Sequence, residues 1–338
     1  MSVKAQVGWA LQQGDDEYMK IAYLLVVHKN PHLLEREIRL LSSADCAFFV
    51  HIDQKSDIEE FSGIRGDNVH FSEKRIPVYW GGFSLVQAAL LLLRQALDRH
   101  EDYDYFVHLH AGHYPLRSRN YIHSFLEQNR GLEFISMVEL PNEAAGQSLF
   151  KINRPWVRDD WPLLLFFVKV LGRLRLVQRD YKKHLGSLEP FAGSASWALT
   201  RDACQYVLQF MESNQHVERY FRYTRTSDEM FFHTILGNSV FRSRTSRNFV
   251  YEDWSAGGAH PSMINEQHIA LFEAQDKVWL DDVCGSGEAL FGRKFSDDRL
   301  DLVERIDDMI RRKESIQSPS NPRARTRPIA RTRANDNG

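Results

Sequence analysis

The chain has 338 residues, 43% hydrophobic and 26% charged, with a formal net charge of -2. That length supports one large domain or two smaller ones with a real core, and the near-neutral charge argues against a nucleic-acid binder. Its three cysteines, Cys46, Cys204 and Cys284, are far apart with no Cys-x-x-Cys, which predicts a reducing compartment rather than a disulfide scaffold.

In chain order, residues 1–20 are polar, carry Asp15, Asp16 and Glu17, and read as an N-terminal extension rather than a signal peptide. Ile21 to Val27 is an apolar run rich in β-branched residues, so it predicts a buried strand. His28-Lys29-Asn30-Pro31 breaks it, and Leu33, Leu34, Ile38 and Leu41 follow at helical spacing. Ala47 to Ile52 is a second buried strand, leading into Asp53-Gln54-Lys55. Strand, helix and strand of these lengths make a βαβ unit, whose ligands bind at the carboxyl ends of the strands. His28 and Asp53 stand at two such ends; Asp53 suits a base or ribose, and equally a turn cap. Gly-x-Gly-x-x-Gly is absent, which disfavours a dinucleotide fold.

Val69 to Phe71 predicts a third strand, followed by Trp80-Gly81-Gly82-Phe83-Ser84. Paired glycines let backbone approach a ligand, and the tryptophan can stack on a flat group; a plain turn fits as well. Leu85 to Leu97 is apolar nearly all round, hence a central helix. Tyr105 to His110 and Glu133 to Met137 are two more strands, with Ser118 placed to cap a helix between them. Asn142 to Gly186 is irregular and suits an acceptor wall or lid. Within it, Trp161 to Leu171, followed by Arg173, Arg175 and Arg179, fits either an interfacial amphipathic helix or one packed on the core. Phe191 to Leu199 is a small-residue turn entering a strand, and Asp202 is placed to cap a helix through Met211.

Thr226-Ser227-Asp228-Glu229 precedes Met230-Phe231-Phe232-His233-Thr234-Ile235-Leu236. Ser227 can cap a helix there, with Phe231, Phe232, Ile235 and Leu236 on one buried face. The two acids then either favour the helix dipole alone or hold one carboxylate in a cleft. An amphipathic helix from Leu300 to Ile310 closes a domain ending near Lys313. The arginine-rich residues 314–338 read as a disordered basic tail, dispensable for chemistry.

Several of these stretches share their order with one family. They are His28-Lys29-Asn30-Pro31, His51-Ile52-Asp53-Gln54-Lys55-Ser56, Tyr79-Trp80-Gly81-Gly82-Phe83-Ser84-Leu85-Val86, Asp104-Tyr105-Phe106 and Tyr114-Pro115-Leu116-Arg117. The series continues with Gly193-Ser194, Asp228-Glu229-Met230-Phe231-Phe232, Tyr251-Glu252-Asp253-Trp254-Ser255 and Phe291-Gly292-Arg293-Lys294-Phe295. Over roughly Ile21 to Ile310 the chain resembles the core-2/I-branching β-1,6-N-acetylglucosaminyltransferase family, which also holds the peptide O-xylosyltransferases.

The resemblance implies an α/β, GT-A-like fold, a single twisted mixed sheet flanked by helices, over residues 21–313. It implies an inverting glycosyltransferase that uses a UDP-sugar with no divalent metal and no other cofactor. Asp102-Tyr103-Asp104 has the Asp-x-Asp pattern but precedes a strand, so it is discounted as a metal motif. The family's general base matches Glu229, and the lysine that meets the leaving UDP matches Lys294, with Arg293 beside it. Read by itself, Lys294 fits an exposed lysine or a buried edge between Phe291 and Phe295. His28, Asp53, Trp80, Gly81 and Gly82 fall on the donor side. Trp156, Trp197 and Asp228 are candidates for the acceptor.

Three departures accompany the resemblance. His113 stands where many relatives carry aspartate in a loop bordering the donor sugar. The family's second basic residue has no clear counterpart, with Arg247 and His260 as candidates. Lys277 to Glu288 reads as an insertion. The expected donor is UDP-GlcNAc, with UDP-xylose second. The expected acceptor is a saccharide or lipid-linked glycan, with no nucleic-acid partner. A cytoplasmic, bacterial-type enzyme is expected, with possible peripheral contact at the inner membrane face. The competing reading is a glycan- or nucleotide-binding relative that has lost catalysis.

Overall fold

A computed structural model describes residues 19–153, 155–156, 166–167, 170, 179–258 and 260–317. Most of the N-terminal extension, most of 161–171 and nearly all of the basic tail lie outside the described residues.

The strands in chain order are β1 (Ile21–Val27), β2 (Cys46–Ile52), β3 (Val69–Phe71), β4 (Tyr105–His110), β5 (His113–Pro115), β6 (Glu133–Phe134) and β7 (Met137–Glu139). They continue with β8 (Phe191–Gly193), β9 (Trp197–Thr200), β10 (Thr245–Ser246), β11 (Val250–Glu252), β12 (Trp279–Asp282), β13 (Gly285–Glu288) and β14 (Phe291–Arg293). Seven of them form the main sheet in the order β10-β6-β9-β4-β1-β2-β3. β1 pairs in parallel with β2 and β4, β2 with β3, and β6 with β10, while β9 runs antiparallel to β4 and β6. This is the mixed α/β sheet flanked by helices that the resemblance implies, accompanied among the described residues by a three-stranded sheet and two two-stranded ones.

The continuous apolar runs of β1 and β2 follow from burial on both faces. Ala22, Leu24 and Val26 pack with the helix Phe83–Leu97, and Ile21, Tyr23, Leu25 and Val27 pack with the helix Pro31–Leu41 and with Ile122 and Leu126 of the helix Arg119–Gln128. Pro31 opens the first of these helices after Asn30, which takes the left-handed conformation at φ 62°. Ser118 Oγ accepts from Tyr121 N at 3.4 Å and caps its helix as predicted.

Three expectations change. The predicted strand Glu133–Met137 is split, because Ile135 and Ser136 separate β6 from β7. Thr200, not Asp202, caps the helix Arg201–Ser213: its Oγ1 accepts from Ala203 N, while Asp202 lies inside the first turn. Ser227 caps no α-helix. Thr226 is left-handed (φ 50°), residues Ser227–Glu229 make a 3-10 turn, and the α-helix runs from Phe231 to Gly237. Every residue of that helix is buried, so it has no solvent face.

The topology gathers loops at one edge of the sheet. Parallel β1, β2 and β4 end there, which brings His28, Asp53 and Ala111 together. Antiparallel β9 starts there, so Gly193 to Ser196 lie at the same edge. β6 and β10 also end there, delivering Ser136, Arg247 and Asn248. Beside this edge a small sheet β11-β14-β5 carries Glu252 and Arg293. Among the described residues no helix is long and apolar enough to cross a membrane.

Candidate active site

The converging loops enclose a cleft of about 1740 Å³. One end of it lies at the ends of β1 and β2, lined by Val26, Val27, His28 and Asp53. Asp53 is buried there, and its carboxylate accepts from Lys55 Nζ (2.5 Å), Lys55 N (2.9 Å) and Val78 N (3.2 Å). Burial works to raise the Asp53 carboxyl, but these bonds outweigh it and hold the group below its ordinary value. Asp53 therefore lines the cleft and also ties the Lys55 and Val78 loops together. His28 is exposed at the end of β1; burial, then Lys29 and Lys294, keep its imidazole below its usual range.

Positive charge collects beyond β14. Arg293 donates to Glu252 Oε1 at 2.8 Å, while its Nε is buried with no partner. Lys294 lies one residue past the strand, and its Nζ makes no hydrogen bond or ion pair among the described residues. Burial, then Lys29 and Arg293, depress its ammonium. His260 is depressed in the same way by burial, Lys294 and Arg293, and its ring stands 5.0 Å from that of Trp80. Both Arg293 and Lys294 line the cleft.

The two acids face this cluster. The Asp228 carboxyl is pushed up to about 7, first by burial and then by the charge of Glu229, and its Oδ1 is buried without a partner among the described residues. Burial also raises Glu229, against the pull of Lys151, whose Nζ lies 3.7 Å from Oε2. A carboxylate with a raised pKa is a better proton acceptor, which is what a general base requires.

Other expected residues separate. Trp156 lines the cleft, and so does Trp80, which is 47% exposed. Trp197 does not: it is 1% exposed, with its ring 5.0 Å from those of His108 and Phe232, so it is a core residue and not an acceptor platform. Gly81 and Gly82 also do not line it. Their openness serves the protein itself. Gly81 (φ 67°) accepts from Thr226 N at 2.8 Å through its carbonyl, and a Cβ on Gly82 would stand 2.8 Å from Trp156 Cη2. His113 is fully buried behind the wall. Its Nδ1 lies 2.7 Å from the His110 carbonyl oxygen and 3.1 Å from the His110 backbone N, and its Nε2 pairs with Ser196 Oγ at 3.0 Å. Arg247 lines the cleft but is paired with Asp282. The insertion is the hairpin β12–β13, whose tip, Asp282, Val283 and Cys284, forms part of the wall. Asp104 lies at the start of β4, away from the cleft, accepting from Lys20 N and Arg130 Nη1, both at 2.8 Å.

Lys151, Arg225 and His110 also line the cleft, and sequence reasoning missed them. Lys151 sits in the irregular stretch after Asn142, where no periodicity marks one residue over another. His110 reads as the last residue of a strand.

A model of the Core-2/I-branching enzyme family matches residues 21–276, which takes in Asp228 and Glu229 and stops before Lys294. Among curated proteins the chain is similar to xylosyltransferase 2 of Homo sapiens, 28% identical over 240 residues, covering 68% of this chain and 26% of that protein. It is also similar to xylosyltransferase 1 of Rattus norvegicus, 27% identical over 237 residues, covering 66% of this chain and 27% of the relative. The chain thus spans about a quarter of the length of the curated relatives it matches. The family match runs through the strands and loops that build the cleft, and by it the chain belongs to the Core-2/I-branching enzyme family.

Proposed function

We propose that this protein is an inverting glycosyltransferase that moves a sugar from a UDP-sugar to a hydroxyl of a saccharide or lipid-linked glycan. The observation that carries this reading is the opposition, across one cleft, of an acid pair with raised pKa values and a lysine with no acidic partner. In the reaction the acceptor oxygen attacks the anomeric carbon. Glu229 takes the hydroxyl proton as the new C–O bond forms. The bond to the β-phosphate breaks, and its electron pair leaves on the phosphate oxygen. Lys294, helped by Arg293 and Lys29, meets that developing charge in a site already oriented for it. Asp228 and Trp156 hold the acceptor, and the Asp53–Lys55 pair, His28 and Trp80 receive the nucleotide.

The donor is UDP-GlcNAc on the family resemblance. The names of the xylosyltransferase relatives favour UDP-xylose as a second reading. The reaction runs without a divalent metal, on the cytoplasmic side of a membrane.

UDP release from a panel of UDP-sugars tests the reading, and silence with every donor refutes it. Glu229→Gln keeps shape and removes the base, so kcat falls about a hundred- to ten-thousand-fold with UDP affinity little changed. Lys294→Ala lowers UDP affinity and turnover together. Near-normal turnover in Glu229→Gln passes the role of base to Asp228.

A further inference from the structure

His110 ends β4 and pairs in register with Val26 of β1. It forms part of the cleft wall, next to Ala111 and on the same edge as Gly193, Ser194 and Ala195. Both ring nitrogens are buried, and neither has a hydrogen-bond partner among the described residues. Neighbouring histidines do not supply one: the His108 ring lies 4.6 Å away, its Nδ1 bonded to the Leu24 carbonyl, and the His113 ring lies 6.0 Å away with both nitrogens engaged. Burial, then the charges of His108 and Arg293, keep His110 neutral. A neutral imidazole presents one N–H donor and one lone pair. Native folds rarely leave buried polar atoms unpaired, so a water, an ion or a ligand group is called for at each.

The position of His110 selects the ligand group. His110 lines the same cleft as His28, Arg293 and Lys294. A neutral ring adds no charge of its own to hold an anion. A hydroxyl can meet either nitrogen, donating to the one that carries the lone pair or accepting from the one that carries the proton. Ala111, Gly193, Ser194 and Ala195, all small, line the cleft with it.

We infer that His110 is a specificity-determining residue of the donor site, whose imidazole reads a ring hydroxyl of the transferred sugar. This rests on the UDP-sugar reading given above. A site built to bond a hydroxyl rejects an analogue that lacks it, because its own polar groups are then left unpaired.

Calorimetry on wild type, His110→Phe and His110→Asn tests it, with UDP, UDP-GlcNAc, UDP-xylose and the 3-deoxy and 4-deoxy forms of both sugars as ligands. Wild type should lose roughly ten- to a hundredfold in affinity when one ring hydroxyl is removed, the scale of one unmade buried hydrogen bond. His110→Phe should bind the parent and that deoxy donor within about twofold of each other. His110→Asn keeps a donor and an acceptor and should retain part of the difference. All three should bind UDP alike, and thermal melts confirm that each is folded. A deoxy penalty that persists in His110→Phe overturns the inference. So does the absence of any penalty in wild type, or an equal loss of UDP affinity in the variants. A wild type that binds neither UDP nor UDP-sugar overturns the transferase reading and this inference with it.

Discussion

Glu229 titrates in a field set by its neighbours, and Lys151 is the one that opposes burial most. Both side chains are about one third exposed, at 31% and 34%, so their attraction across 3.7 Å is partly screened. Lys151→Met removes an ammonium that favours the carboxylate, so the Glu229 carboxyl titrates at higher pH. A base must be deprotonated, and activity is lost as pH falls through its pKa. The acid limb of kcat against pH therefore moves upward. Turnover should drop roughly three- to tenfold more at pH 6 than at pH 8. An unmoved limb removes Lys151 from the tuning of the base. Asp228, pushed up to about 7 by burial and by the charge of Glu229, titrates as its partner, so the limb belongs to the acid pair rather than to Glu229 alone. The acids themselves are legible in the sequence as neighbours before an apolar segment. Lys151 is not, because its partner lies far along the chain and only folding brings them together.

At the scale of elements, the hairpin β12–β13 carries part of the cleft wall on a buried anchor. Glu288, at its base, accepts from Arg117 Nε (2.8 Å) and Tyr121 Oη (2.7 Å) and pairs with Lys277 at 3.2 Å. The side chains of Arg117 and Glu288 are 4% and 2% exposed. Removing one partner of such a pair leaves an uncompensated buried charge. Glu288→Gln should cost about 3–5 kcal/mol in a denaturant titration. Asp281→Asn, on the exposed side of the same hairpin, should stay within about 0.5 kcal/mol. Equal effects from the two would show that the anchor does not hold the hairpin. The sequence marks this stretch only as an insertion, since a two-strand hairpin with Asp and Gly in it has little apolar patterning. The long runs are different: β1, β2, β4 and the helix Phe83–Leu97 are legible because burial on all sides demands unbroken apolar sequence. The acid turn is misread as a helix start because Thr226 takes a left-handed conformation that its side chain does not advertise.

For the whole molecule the charge distribution makes a prediction about metals. Lys294, Arg293, His28 and His260 line the cleft with the charge of Lys29 acting on three of them, and Asp102 and Asp104 lie at the start of β4 on the other edge of the sheet. If these cations carry the leaving diphosphate, turnover should be unchanged in excess EDTA. Raised salt should weaken UDP binding, since exposed members of the cluster are screened. Activity that stops on chelation and returns with Mn²⁺ would overturn the metal-free mechanism.

By itself the sequence determined the α/β class, the main strands, the family resemblance and the candidate base and lysine. These depend on local apolar periodicity and on short ordered motifs, which survive without coordinates. Tertiary structure decided which candidates share a space. It put Trp197 in the core and Trp156 on the cleft, turned Gly81 and Gly82 toward the protein, and set Lys151 against Glu229. It also left His110 with two unpaired nitrogens in the wall. The physical reason is common to all of these. Burial and partnership are made by chain segments distant in sequence, and the direction in which strands cross the sheet decides which loops meet at its edge.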